Sequence, residues 1–250
     1  MKVSWDHLTV DDKKSLKRDI FKFIDFKYLA SIINDKKLAF LKINTWEDPY
    51  ESFVFKSTFK IDGEIIDSSI LLPFVNYSYG QSWTLLPESD ALWRIYSPNL
   101  TSVRIRTSAE KLYKIMLTES DDSLYCLIGD VSYMSKNEFE QFAKTLKTDK
   151  DFMTDEFHKF SYFVKRSEFE HEKEFRAIYI SDYESKKKEK EILHFKINPN
   201  EWIKDIVLDP RLSDKEVDNM KKKISKLGYE GLVRRSEMYY WKPLEINLNM

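Results

Sequence analysis

Glu172, Glu174 and Arg176 stand at alternate positions in FEHEKEFRAIYI, residues 169–180, and alternate positions on a strand share a face. The stretch ends in strand-forming residues. It is therefore expected to aim two carboxylates and a guanidinium the way Ile178 and Ile180 point, with Lys173, Phe175, Ala177 and Tyr179 opposite. One carboxylate so placed can bind a sugar hydroxyl and stabilise positive charge that develops in a transition state, while the other positions an acceptor. The same charges can instead protect an edge strand from pairing with another chain. The residues alone leave both readings open.

Other spacings carry weaker signals. Ser82 and Thr84 in SWT share a strand face, with Trp83 opposite, and offer two hydroxyls to a ligand or to a carboxylate; hydroxyls in strands also occur with no such role. Trp93 and Tyr96 in LWRIY are three apart, on one helical face beside Arg94, and suit either stacking on a flat heterocycle or core packing. Asp48 and Glu51 flank Pro49 and Tyr50 in EDPYE and read as turn formers or as metal ligands. His7, His158, His171 and His194 are dispersed and match no ligand spacing such as HExxH, so no metal site is expected. Five scattered glycines exclude a glycine-rich phosphate loop, and no G-x-S-x-G elbow supports a serine nucleophile.

The elements that must position these residues follow from periodicity. IFKF reads as a strand, Asp25 as the cap of a helix carrying Tyr28, Leu29, Ile32 and Ile33, and LAFLKI as a strand. SFVFKSTFKI, QSWTLL and VRIRT also read as strands, with a short helix in ESDALWRIYS capped by Ser89 or Asp90. Ser108 opens a helix through Leu112, Ile115 and Met116, and LYCLIGDVSY gives one or two strands. Ser135 with Glu138, and Ser213 with Glu216, form capping boxes, the second opening a helix closed by Gly228. A helix is expected over 151–164, and ESKKKEKE is expected to be a solvated hairpin loop.

A polar N-terminal helix, within residues 1–19, is expected to be peripheral to one α+β domain over 20–250. That domain would hold a mostly antiparallel, twisted sheet flanked by helices, because the strands lie too close for regular βαβ crossovers. With 41 basic and 42 acidic residues among 250, the composition indicates neither a nucleic-acid footprint nor an acidic tail. The single Cys126 excludes an intramolecular disulfide. With no signal-like run and no membrane-length apolar segment, a cytosolic protein without a membrane partner is expected.

IFKF, LASIINDKKLAFLKINTWEDPYE, SWT, ALWRIYS, VRIR, VSY and KRSEFEHEKEFR, in that order, resemble the bacterial family called domain of unknown function 2971 over residues 20–235. Glu47, Ser102, Phe169 and Asp209 depart from the family pattern, which has Asn, Gly, Trp and Gly there. The family's strand order is similar to that of ADP-ribosyltransferase-like domains. That resemblance implies an NAD site built from a first-strand polar residue, Lys22, from Ser82 with Thr84, and from Glu174.

Two readings result. In the first, an NAD-using transferase or glycohydrolase employs Glu174 to stabilise an oxocarbenium ion. Arg176 orients Glu174 or binds phosphate, and Trp93 or Tyr96 stacks on nicotinamide. In the second, the protein is a non-catalytic binding or interaction module. Glu172, Glu174 and Arg176 are then a structural ion-pair network, with Arg104 or Lys165 as partners. A magnesium-dependent nuclease using Asp48, Glu51, Glu172 and Glu174 ranks last. The partner expected is a small molecule, with NAD the candidate.

Overall fold

In DIFKFID, Ile20 and Ile24 face one side of a strand and Phe21 and Phe23 the other, so β1 (Asp19–Asp25) is apolar on both faces and its neighbours must be covered twice. The structure, a computed structural model, describes residues 16–48, 50, 51, 53–61, 63–65, 76–118, 123–145, 162–182, 184, 185 and 190–246. After β1 come α1 (Phe26–Asp35), β2 (Lys37–Lys42), the short hairpin β3 (Lys60–Ile61) and β4 (Glu64–Ile65), and β5 (Ser78–Thr84). Next are α2 (Asp90–Tyr96), β6 (Ser102–Ser108), α3 (Ala109–Leu117), β7 (Ser123–Asp130), β8 (Ser132–Met134), α4 (Lys136–Thr145) and β9 (Val164–Arg166). The chain continues through β10 (Glu174–Ser181), β11 (Ile192–Lys196), α5 (Pro199–Trp202), β12 (Asp205–Leu208), α6 (Asp214–Lys226) and β13 (Leu232–Arg235).

The result is a single α+β domain around a mixed, mostly antiparallel sheet. Its order is β11-β2-β5-β1-β6-β12-β13, with β10 on the other edge of β5 and β7 beyond β10. Only β12 and β13 pair in parallel within it. β2 and β1 share one edge of β5: Gly80 and Tyr79 pair with Leu41 and Lys42, whereas β1 touches β5 at the single pair Phe21↔Thr84. The sheet thus opens along β1 and β5.

One face of the sheet carries the main core. Ile20, Ile24, Ile105, Phe175 and Tyr179 meet Leu29, Ile32 and Ile33 of α1, Leu112 and Met116 of α3, and Ile224 of α6. The other face is covered by two separate apolar groups. Phe23, Leu92, Trp93 and Val207 form one, and Ile43, Phe55, Tyr162, Phe163, Ile178 and Ile180 the other. Between them the strands present charge.

The caps follow the sequence: Asp25 accepts from the Lys27 amide, Ser89 from Leu92 and Ser108 from Lys111, and Ser213 with Glu216 forms a complete capping box. Four expectations change. SFVFKSTFKI is not one strand: Phe53–Lys56 coils into a 3-10 turn that buries Phe55, and only Lys60–Ile61 is extended. β10 begins at Glu174 rather than Glu172. β11 pairs with β2, so the charged run after β10 closes no hairpin. β1 starts at Asp19 and β9 at Val164, which cuts short the helices expected to reach 19 and 164; their remaining residues, up to 15 and over 151–161, lie outside the described ones. Among the described residues, no helix is long and apolar enough to cross a membrane.

Candidate functional site

β10 and β5 bring the charged strip together, with Glu174 opposite Thr84 and Arg176 opposite Ser82. Glu172 arrives by another route. Ser167–Glu172 form a 3-10 turn, and Lys173 reverses the chain in the left-handed region at φ 42° before the strand starts. The alternation of Glu172 and Glu174 is therefore not a strand pattern, which corrects the reading of Glu172. The turn is held by Thr84, whose hydroxyl donates to the Glu172 carbonyl at 2.6 Å, and by the Leu85 amide, which donates to the Lys173 carbonyl at 2.9 Å.

The two carboxylates still converge. Glu174 Oε2 accepts from Ser82 Oγ at 2.5 Å and from Arg176 Nε at 2.7 Å, and its Oε1 accepts from Lys165 Nζ at 2.5 Å. Lys165 also donates to Glu172 Oε2 at 2.6 Å, and Tyr96 donates to Glu172 Oε1 at 3.0 Å. Arg176, 1% exposed, gives its remaining donors to Glu51 Oε1 at 2.5 Å and the Tyr162 carbonyl at 3.0 Å, beneath the Trp46 ring. Arg166 grips Asp48 at 3.1 Å. Asp48 and Glu51 are therefore the acidic partners of two arginines, and no group of His, Cys, Asp and Glu able to hold a metal ion occurs among the described residues.

Burial and charge push the two carboxylates apart. Burial raises Glu174, but the Arg176 guanidinium, a hydrogen bond with Glu172 and the Lys165 ammonium outweigh it and hold Glu174 well below the usual carboxylate range. Glu172 is pushed up, by burial first and then by its hydrogen bond with Glu174, against the pull of Lys165. One carboxylate is thus held ionised while its neighbour gives up its proton less readily than an ordinary carboxyl, the direction of separation seen between acid and base in catalytic pairs. Burial lowers Lys22 to about 8 against the opposing charge of Glu174. Tyr133, whose hydroxyl accepts from the Glu174 amide at 2.7 Å, is pushed up to about 12 by its burial.

Where β1 leaves β5, a cleft of roughly 150 Å³ opens. Phe21, Lys22, Phe23, Ser82, Thr84, Tyr96, Glu172 and Glu174 line it, together with Trp83 and Leu92. Lys22 donates to the Ser82 carbonyl at 2.6 Å. Seven of the residues singled out in the sequence thus form one constellation: Lys22, Ser82, Thr84, Tyr96, Glu172 and Glu174 on the cleft, and Arg176 directly behind Glu174. Trp93 does not join them. It is fully buried and packs edge-to-face on Phe23 at 4.7 Å, the core role that helical aromatic spacing also allows. Arg104 is elsewhere too, paired with Asp205 at 3.0 Å. Tyr133 gave no functional signal of its own in the sequence, and Glu51 stood there only as a turn former or metal ligand; both acquire their place at the site through contacts distant in the chain.

Residues 92–177 match the profile of a family described as a protein of unknown function, DUF2971. The match takes in Tyr96, Tyr133, Lys165, Glu172, Glu174 and Arg176; Lys22, Ser82 and Thr84 lie before it. No curated protein matches the chain. Among solved structures, DarT of Thermus sp. 2.9 in complex with carba-NAD+ and in complex with NAD+ are each similar at 13% identity and a TM-score of 0.40, covering 90% of this chain and 98% of theirs. The same protein with ADP-ribosylated ssDNA is similar at a TM-score of 0.39. At such TM-scores the likeness bears no weight on function.

Proposed function

We propose that the cleft takes the nicotinamide end of NAD and that the protein cleaves the bond between nicotinamide and its ribose, as an ADP-ribosyltransferase-like or NAD-glycohydrolase enzyme. The observation that carries this reading is Glu174: a buried carboxylate, held ionised, at the wall of a cleft that also offers two hydroxyls, an ammonium and an aromatic ring. As the C1′–N bond breaks, its electron pair leaves with nicotinamide and positive charge grows on the ribose. A fixed anion is worth most where charge develops only in the transition state. Arg176 and Ser82 fix the Glu174 carboxylate, and Tyr96, 43% exposed at the mouth, offers its ring to nicotinamide. Glu172, when ionised, is the base that takes the proton from the acceptor, water or another nucleophile, as it bonds to C1′. The cleft is the size of a cavity that accommodates a single aromatic ring, so the adenosine end of NAD would lie outside it. One cysteine and no disulfide pair suit a reducing, cytosolic setting.

The test is nicotinamide release from NAD by the wild-type protein and by Glu174→Gln. Release that falls on the order of a hundredfold or more in the variant supports the role of Glu174. Release unchanged by the substitution removes it. The second reading, a structural ion-pair network, draws on the saturation of Glu174 by three donors at 6% exposure. It is favoured if Glu174→Gln lowers thermal stability in a protein that neither cleaves NAD nor is stabilised by it.

A further inference from the structure

We propose that Lys165 is the positioning residue of the cleft, a single ammonium that holds Glu172 and Glu174 side by side with both carboxylates facing the opening. This inference rests on the NAD reading for its catalytic consequence and on the geometry alone for its structural one.

Lys165 Nζ lies 2.5 Å from Glu174 Oε1, 2.6 Å from Glu172 Oε2 and 3.6 Å from Glu51 Oε1. It does not line the cleft, so it acts on the carboxylates from behind. Its strand, β9, belongs to no part of the main sheet: it pairs in parallel with β8 as a separate ribbon, with Lys165 in register with Tyr133. That ribbon is fastened to the start of β10, because the Tyr133 hydroxyl accepts from the Glu174 amide and the Val131 amide donates to the Glu174 carbonyl at 3.0 Å. The 3-10 turn then carries the chain from Lys165 back to Glu172. The Phe169 ring on this turn lies 4.4 Å from the Lys165 ammonium and limits where it can move. The end of the turn, at Glu172, and its middle, at Phe169, therefore meet at one cation.

Without that cation, Arg176 still favours the ionised Glu174, but two adjacent carboxylates either repel or share a proton, and neither arrangement holds both of them in place beside a bound ribose. Each of the other groups facing the pair holds one carboxylate and not the other: of the two, Arg176 and Ser82 reach Glu174, Tyr96 reaches Glu172, Tyr133 binds the Glu174 amide, and Lys22, hydrogen-bonded to the Ser82 carbonyl, faces the charge of Glu174. Glu51 adds a further negative charge from the turn. Among the described residues, Lys165 alone donates to both carboxylates.

The experiment titrates the ¹³C-labelled Glu172 and Glu174 carboxylates by NMR in the full chain and in Lys165→Met, alongside nicotinamide release from NAD by both. Both titrations are expected to move up in the variant. The turnover number is expected to fall on the order of a hundredfold with KM little changed, since the loss is of alignment rather than of a substrate contact. Titrations that stay in place overturn the proposal, whether or not NAD is a substrate. If the wild-type protein releases no nicotinamide, the NAD reading falls and the titrations alone decide Lys165. Should Lys165→Met fail to fold, Glu172→Gln with and without Lys165→Met replaces it. The Glu174 titration then moves up on loss of Lys165, or stays and overturns the proposal.

Discussion

At the scale of the residue, Glu172 and Glu174 make opposite pH predictions. Glu174 has a depressed pKa, so its contribution to stability is present above the ordinary value near 4.5 and is lost as pH falls below it through the folded value. Glu172 has a raised pKa, so its ionisation costs stability as pH rises above 4.5 through the folded value. Glu174→Gln is therefore expected to lose more stability at pH 7 than at pH 3, and Glu172→Gln to gain relative to wild type over the same rise; urea titrations at the two pH values check both. If Glu172 is the base, the rate should also rise with pH through the raised pKa of Glu172, and Glu172→Gln should abolish that limb of the profile. Lys22 titrates near 8 in the folded chain against 10.5 when unfolded. Wild-type stability should gain from this group as pH climbs from about 8 to 10.5, and the gain should vanish in Lys22→Met.

At the scale of the element, two backbone features aim these side chains. Lys173 occupies the left-handed region, at a cost of about 1 kcal/mol for a residue with a Cβ. Lys173→Gly is expected to leave the protein equally stable or up to about 1 kcal/mol more so, while the β-branched Lys173→Val weakens both folding and the approach of Glu172 to Lys165; denaturant unfolding separates the two. Gly80 admits the Trp46 ring, since a Cβ there would stand 2.5 Å from a ring carbon, and Trp46 in turn covers the Arg176 guanidinium at 4.5 Å. Gly80→Ala should therefore destabilise the protein and loosen Arg176.

The same elements show what was legible in the sequence. Strand alternation and cap chemistry are local, so β1, β2, β5, β6, α1, α3 and α6 could be read from IFKF, LAFLKI, QSWT, VRIR and their caps. The 3-10 turns were not, because Phe53–Lys56 and Ser167–Glu172 take their form from contacts of Phe55 with Tyr162 and of Glu172 with Lys165, which no periodicity announces. The site followed the same division. The E-x-E-x-R and S-x-T patterns pointed to side chains that the fold brings together, whereas the bridging of both carboxylates by Lys165 and the pairing of Glu51 with Arg176 required the tertiary fold.

At the scale of the molecule, the split between β1 and β5 is what turns a charged sheet face into a cleft. Two apolar groups cover that face on either side, and the polar strip between them has nowhere else to be exposed. On the proposed reading, a cleft this small would engage one end of a dinucleotide. Nicotinamide mononucleotide is therefore expected to raise the melting temperature much as NAD does, and adenosine monophosphate to leave it unchanged. At a hundredfold excess over Kd, binding to the native state adds about 2.7 kcal/mol, which thermal scans detect. Equal shifts with both mononucleotides would place the binding elsewhere.

Incubation of the purified protein with NAD, followed by chromatography of released nicotinamide, bears most directly on the central claim when wild type and Glu174→Gln are compared. The account predicts release by the wild-type protein and its loss in the variant, at a temperature where both remain folded. Equal release by both proteins, or none by the wild type with no thermal shift from NAD, would contradict it and leave the carboxylate pair a structural ion-pair network.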